Sequence, residues 1–131
     1  MIRLTLAAAL ALLIAAPAQA GLREEADINA GLRAVAAADM IRKRCSEIEP
    51  RMVRAYGYMR GLAQMARDRG YDDEAIEAFV EDKAEKKRVR GEAKDWLRAQ
   101  GLGAGEDADY CRVGRALIAV EGPVGRLLRA R

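Results

Sequence analysis

The sequence predicts an all-α fold, a single small bundle of about five helices closed by one disulfide. Apolar residues recur at three- and four-residue steps through most of the chain, and no segment alternates apolar with polar; that periodicity separates helix from strand. Residues suited to helix caps stand just before several of these runs. Two cysteines, Cys45 and Cys111, lie 66 positions apart at the edges of two runs. A composition of 51% hydrophobic and 33% charged residues is that of a globular chain and sets aside wholesale disorder.

The chain opens with Arg3, an apolar stretch over residues 4–16 broken only by Thr5, and the small-residue end Pro17-Ala18-Gln19-Ala20. A basic start, a short apolar core and a small-x-small end describe a secretory signal peptide. Cleavage is expected between Ala20 and Gly21. The apolar stretch falls short of the roughly 20 residues a spanning helix needs, so after cleavage the chain is not expected to be an integral membrane protein. The organisation is then a leader over residues 1–20 and one helical domain over 21–131, exported to the periplasm. Losing Arg3 takes the net charge from +3 to +2. That near-neutrality argues against a nucleic-acid binder, which needs a clustered basic excess.

In the first helix Ile28, Leu32, Val35, Ala38, Ile41 and Cys45 form one face. Arg42, Lys43 and Arg44 crowd its last turn, where cations meet the negative end of the helix dipole; this reading is preferred to a phosphate site. Ser46 reads as a capping hydroxyl, and Pro50 suits the first turn of a second helix. There Met52, Tyr56, Met59, Ala63 and Ala66 form one stripe, with Ala55, Tyr58, Leu62 and Met65 beside it. So wide an apolar surface predicts a central helix touched from two sides. Gly70 closes it as the residue after the cap.

Asp72 reads as the N-cap of a short third helix, with Tyr71 and Ile76 placed for a hydrophobic staple; Ile76, Phe79 and Val80 supply its buried side. Asp72, Asp73 and Glu74 are explained by the preference of a helix start for negative charge. Asp82 and Glu85 form a capping box for a fourth helix, whose apolar face is Val89, Ala93, Trp96 and Leu97 behind a solvated front half. Gly101, Gly103 and Gly105 predict a flexible connection. No strand precedes them and no Lys-Ser/Thr follows, so they form neither a dinucleotide fingerprint nor a P-loop. Asp107 is the expected cap of a fifth helix, with Tyr110, Val113, Leu117 and Val120 facing inward. Gly122-Pro123 ends it, and Val124, Leu127 and Leu128 add a last turn of packing before the basic tail.

In an oxidising compartment two cysteines most simply pair with each other. A redox-active pair is the competing reading, but such pairs stand close in sequence, as C-x-x-C, and no such spacing occurs here. The expected bridge joins the end of the first helix to the start of the fifth, letting the fifth run back antiparallel beside the first.

The residues that usually carry catalysis are scarce. There is no His, which removes Ser–His and Cys–His nucleophiles and imidazole metal sites. Beyond residue 20 the chain holds one Ser (Ser46), no Thr, one Asn (Asn29) and two Gln (Gln64, Gln100). The EF-hand pattern and the C-x-x-C-H haem attachment are both absent. No cofactor and no metal are expected. Two acids flanking a groove could hydrolyse a glycoside, but pairs drawn from 20 surface acids carry no weight alone. Tyr56, Tyr58 and Trp96 are large residues of the kind enriched in interfaces. They form a candidate interaction surface and equally suit a core, since each sits on a helical stripe.

Leu22-Arg23-Glu24-Glu25-Ala26-Asp27-Ile28-Asn29, Gly70-Tyr71-Asp72-Asp73 through Ala78-Phe79-Val80, and Tyr110-Cys111-Arg112-Val113-Gly114-Arg115-Ala116 stand together with Cys45 and Leu127-Leu128-Arg129. In these the chain resembles a family of small exported Gram-negative bacterial proteins classed as a domain of unknown function. The family supplies no active-site residues. Its genes often lie near those of the respiratory NADH–quinone oxidoreductase, which implies an accessory role on the outer side of such a complex. The expected function is a non-enzymatic interaction or accessory protein with an unidentified protein partner, linked to an envelope or respiratory complex. A periplasmic stress chaperone or holdase is the alternative, and a carboxylate-only hydrolase the third.

Overall fold

Small residues decide which helix lies at the centre. The computed structural model describes residues 21–131, so the leader read on residues 1–20, Ala20 included, lies outside the described residues. After a single 3-10 turn over Leu22–Glu24, helix α1 spans Ala26–Arg44 and packs against three other helices: α2 (Met52–Asp68), α4 (Lys83–Ala99) and α5 (Asp107–Val120). Gly31, Ala34, Ala37 and Ala38 on its buried face let those neighbours approach closely. A Cβ on Gly31 would lie 2.5 Å from Leu62 Cδ2, so the leucine of α2 sits directly over the missing side chain. The central helix is therefore α1 and not α2. Of the broad apolar surface of α2 only Leu62 and Ala66 are fully buried, while Met52 and Tyr56 lie in solvent.

Helix α3 (Asp73–Glu81) is short and buries no residue completely. Ile76 and Phe79 are half-buried against the small cluster of Leu22, Ile28 and Ala66, and Val80 is exposed, contrary to the expected buried side. The staple partner Tyr71 packs on the same cluster. The larger core lies between α1, α4 and α5, with Ile41, Cys45, Ala93, Leu97, Val113 and Leu128 among its members.

Caps follow local chemistry with two corrections. Asp72 and Asp82 accept from the backbone N–H groups of Ala75 and Glu85, as N-caps do. The reciprocal half of the Asp82 box does not form, because the Glu85 carboxylate is held by Arg23 and Arg88. The cap of α5 is Glu106 rather than Asp107: Glu106 and Asp109 make the capping box one residue earlier than expected. Gly70, at φ +93°, takes the left-handed turn after α2 that glycine accepts most readily.

The all-helical expectation needs one addition. Two three-residue strands, β1 (Ile48–Pro50) and β2 (Leu128–Ala130), pair antiparallel with Glu49 opposite Arg129. Pro50 is thus the last residue of a strand and not part of a helix's first turn. A two-stranded sheet has only edge strands, which tolerate the missing N–H. Ser46 lies in the turn between α1 and β1 and caps no helix. Strands this short cannot show alternation, so periodicity could not reveal them.

The Gly-rich connection is anchored by Leu102, which is 1% exposed in the main core. Val120, expected inward, points into solvent at the end of α5. The disulfide Cys45–Cys111 is formed, with Cα atoms 5.1 Å apart. Asp107 meets Arg44 while Gly114 meets Ile41, so α1 and α5 run in opposite senses, as the bridge predicts. Among the described residues no helix is long and apolar enough to cross a membrane.

Candidate functional site

The apolar and charged groups that the core does not absorb gather in three places. The first is the end of the molecule made by the start of α2 and the C-terminal strand. Arg51 donates from its backbone N–H to the Leu127 carbonyl at 2.8 Å and from Nε to the Leu128 carbonyl at 3.1 Å. Arg54 donates to the Arg126 carbonyl at 3.2 Å. These bonds hold the first turn of α2 against the chain's last residues. Arg51, Arg54 and Arg126 line a surface cavity of about 280 Å³, with Ile118, Glu121 and Leu128. Among the described residues none of these three arginines has a carboxylate within ion-pair distance. Arg129 and Arg131 share Glu49. On the same turn of α2 Met52, Val53 and Tyr56 are exposed, Val53 by 88%. Apolar side chains left in solvent and flanked by charge mark contact surfaces.

The second place is an apolar groove between the helices. Leu32, Val35, Met59, Phe79, Val80 and Val89 line a cavity of about 390 Å³, rimmed by Asp39, Glu85, Lys86 and Arg90. A smaller cavity of about 180 Å³ shares Leu32, Met59, Phe79 and Val80 and continues it toward Ile28 and Leu62. Burial acts to raise the pKa of both rim carboxylates. Hydrogen bonds and charge from Lys43 and Arg42 on Asp39, and from Arg88 and Arg23 on Glu85, outweigh it, and both carboxyls titrate below their ordinary value.

The third place adjoins the disulfide, where Arg42, Lys43, Arg44 and Arg115 meet Glu47 and Asp107 around a cavity of about 610 Å³. The cations are spent locally: Arg42 and Lys43 pair with Asp39, Arg44 with Asp107, and Arg115 with Glu47. The Arg44 guanidinium also lies 4.9 Å from the Tyr110 ring centre, a cation–π distance. Cys45, Glu47 and Cys111 bring ligand-type atoms within 4.8 Å of one another, but sulfurs joined to each other offer no thiolate to a metal. Cys45 is fully buried and Cys111 half-buried.

Of the candidate interaction residues, Tyr56 stands 62% exposed beside Val53, whereas Tyr58 and Trp96 are half-buried against the main core. The structure does not bring the three together as one surface. Gly21 opens the described residues at the opposite end of α2, beside Glu24. Periodicity marked the stripe containing Met52 and Tyr56 but not its exposure, because an exposed apolar stripe and a buried one read alike in sequence.

A polar site that composition did not reveal lies at the start of α1. Asn29 is buried and donates from Nδ2 to the carbonyls of Leu22, Arg23 and Glu25. Nearby, Arg69 binds Asp27 and Glu25, and Tyr71 donates its hydroxyl to Glu25 at 3.1 Å. The Arg69 hydrogen bonds hold the Asp27 carboxyl down to about 2.

No curated protein and no solved structure matches the chain. A family model does match, across residues 20–129, which is almost the whole described chain and includes both cysteines and every helix. The chain therefore belongs to a family of unknown function, DUF5333.

Proposed function

We propose that this chain is an exported, periplasmic accessory protein that works by binding at the cell envelope, and that its contact surface is the end formed by the start of α2 and the C-terminal strand. One observation carries this reading: Met52, Val53 and Tyr56 lie exposed on a helix turn that three hydrogen bonds, from Arg51 and Arg54 to the carbonyls of Leu127, Leu128 and Arg126, fasten to the fold. An exposed apolar turn on a rigid mount suits recognition, because little conformational entropy is lost on contact. The leader-like residues 1–20 and the disulfide support export to an oxidising compartment. An accessory role beside a respiratory complex is the finer form of the same proposal.

A photo-crosslinking residue in place of Tyr56, in cells producing the protein at its native level, tests the reading. A discrete adduct formed from position 56 and absent from position 58, which faces the core, is the expected result. No adduct from 56, together with empty affinity purifications from the same membranes, would overturn it.

The groove favours a second reading, a stress holdase, since apolar clefts of adaptable Met and Phe side chains accept varied segments. That reading requires suppression of aggregation of unrelated clients at stoichiometric concentration. A carboxylate hydrolase draws less support. Acid–base pairs need pKa values pushed apart, and the two rim carboxylates are pushed the same way.

A further inference from the structure

Charge is distributed along α2 with a pronounced polarity. Residues 50–60 and 123–131 contain Arg51, Arg54, Arg60, Arg126, Arg129 and Arg131 and no acid. Residues 72–82, just beyond the other end of α2, contain Asp72, Asp73, Glu74, Glu77, Glu81 and Asp82 and no base. The 17 residues of α2 separate the two ends by about 25 Å at 1.5 Å per residue. That distance exceeds the Debye length of roughly 8 Å at physiological salt, so the ends act as separate charges on approach to a charged surface.

Resting on the contact surface identified above, we infer that the basic end docks the protein on an anionic phospholipid bilayer, with Arg51, Arg54 and Arg126 at the level of the phosphates and Met52, Val53 and Tyr56 entering the headgroup layer. Guanidinium groups match phosphate oxygens in fork geometry, and three of them converge on the cavity beside Leu128. Val53 stands between Arg51 and Arg54 in sequence and has the largest fractional exposure of the exposed large apolar residues. An aliphatic side chain set among guanidiniums and next to a tyrosine has the character of an interfacial anchor. The acidic segment on α3 is repelled by the same surface and turns the molecule so that the basic end leads. The side-chain carboxylates nearest the docking end among the described residues are Glu49, neutralised by Arg129 and Arg131, Glu47, paired with Arg115, and Glu121, which opposes the phosphates from the cavity wall.

Co-sedimentation of the purified exported protein with vesicles tests this. The vesicles are phosphatidylcholine alone or with about a third phosphatidylglycerol, at low and at high salt. Binding is expected only with phosphatidylglycerol and is lost as salt rises. Each juxtamembrane arginine contributes ~1 kcal/mol, about fivefold in partitioning, so Arg54→Gln with Arg126→Gln lowers binding roughly 25-fold. Val53→Ser, at a position too exposed to unfold the chain, weakens binding several-fold, and Glu121→Gln tightens it. In Val53→Trp the new indole's emission shifts to the blue on these vesicles and stays unchanged with inorganic phosphate alone. Equal binding to both vesicle types, or full binding by Val53→Ser and the double arginine variant, overturns the inference. A protein adduct from position 56 with no vesicle binding overturns it as well, while leaving the contact surface standing. The absence of both removes the two readings together.

Discussion

Asn29 accepts a hydrogen bond on Oδ1 from the Arg88 guanidinium at 2.8 Å, across 59 positions of sequence, and so ties the first turns of α1 to the front half of α4. The same amide donates to the carbonyls of Leu22, Arg23 and Glu25 at 2.7–3.2 Å, of which those of Leu22 and Glu25 also accept the backbone N–H groups of Glu25 and Asn29. Both the oxygen and the nitrogen of one buried side-chain amide thus join the 3-10 turn and the start of α1 to α4. Removing it takes a donor from these carbonyls and an acceptor from the Arg88 guanidinium, each lost hydrogen bond costing on the order of 1 kcal/mol. Asn29→Ala is expected to lower unfolding free energy by about 2–3 kcal/mol. The check is a urea titration in which the midpoint falls and the slope is unchanged.

The bridge Cys45–Cys111 closes a loop of 66 positions. Chain entropy assigns roughly 4 kcal/mol to such a loop, comparable to the net stability of a small domain. Replacing both cysteines by Ala is expected to lower Tm by well over 10 °C under conditions where the parent remains folded. Calorimetry of the two proteins side by side decides it; an unchanged Tm would mean that the cross-link does not constrain the unfolded chain.

Glycine substitutions separate by what surrounds them. A Cβ on Gly125 would lie 1.9 Å from the Leu117 carbonyl oxygen, where only backbone movement makes room. Gly125→Ala is expected to cost about 3 kcal/mol or more, at or beyond the upper end of overpacking. Gly61 is exposed within α2 and its added methyl would meet nothing within 4 Å. Gly61→Ala is expected to stabilise by about 0.5–1 kcal/mol through helix propensity. Thermal melts that reversed the signs of these two changes would contradict the packing described for α5 and α2.

The Arg69–Asp27 pair gives the protein an acid limb. Asp27 has its pKa lowered to about 2 in the folded state, first by the Arg69 hydrogen bonds and then by the Ile28 backbone N–H. A group depressed on folding contributes stability above its unfolded value of roughly 3.9 and loses it as pH falls through its folded value. The contribution is expected to disappear between about pH 4 and pH 2. In Asp27→Asn this part of the stability–pH curve flattens while the region above pH 5 keeps its shape. The pair is exposed, so salt reduces the effect.

Local chemistry made the helices readable. Asp72 and Asp82 announce their caps, Gly70 its left-handed turn, and the Arg42-Lys43-Arg44 triplet the end of α1, because each acts on backbone groups within a few residues. Where neighbours in space decide, the same reading failed. Glu85 leaves its capping box for Arg23 and Arg88, and Pro50 joins a strand whose partner lies near the C-terminus. Val120 continues an apolar stripe into solvent, and Val80 lies at the open groove beside Leu32 and Val89, where it is only partly covered.

The amino-acid sequence alone determined the helical class, the number of helices and the cysteine pairing, since periodicity, capping and the count of two sulfurs need no knowledge of distant contacts. Tertiary structure decided that α1 is the centre, that Asn29 rather than any charged residue forms the buried polar hub, and that the first turn of α2 stays in solvent. The physical reason is that an apolar stripe states only a preference for leaving water. Whether Leu62 finds Gly31 beneath it, or Val53 finds nothing, depends on which small residues lie opposite and on how much surface a single central helix can cover.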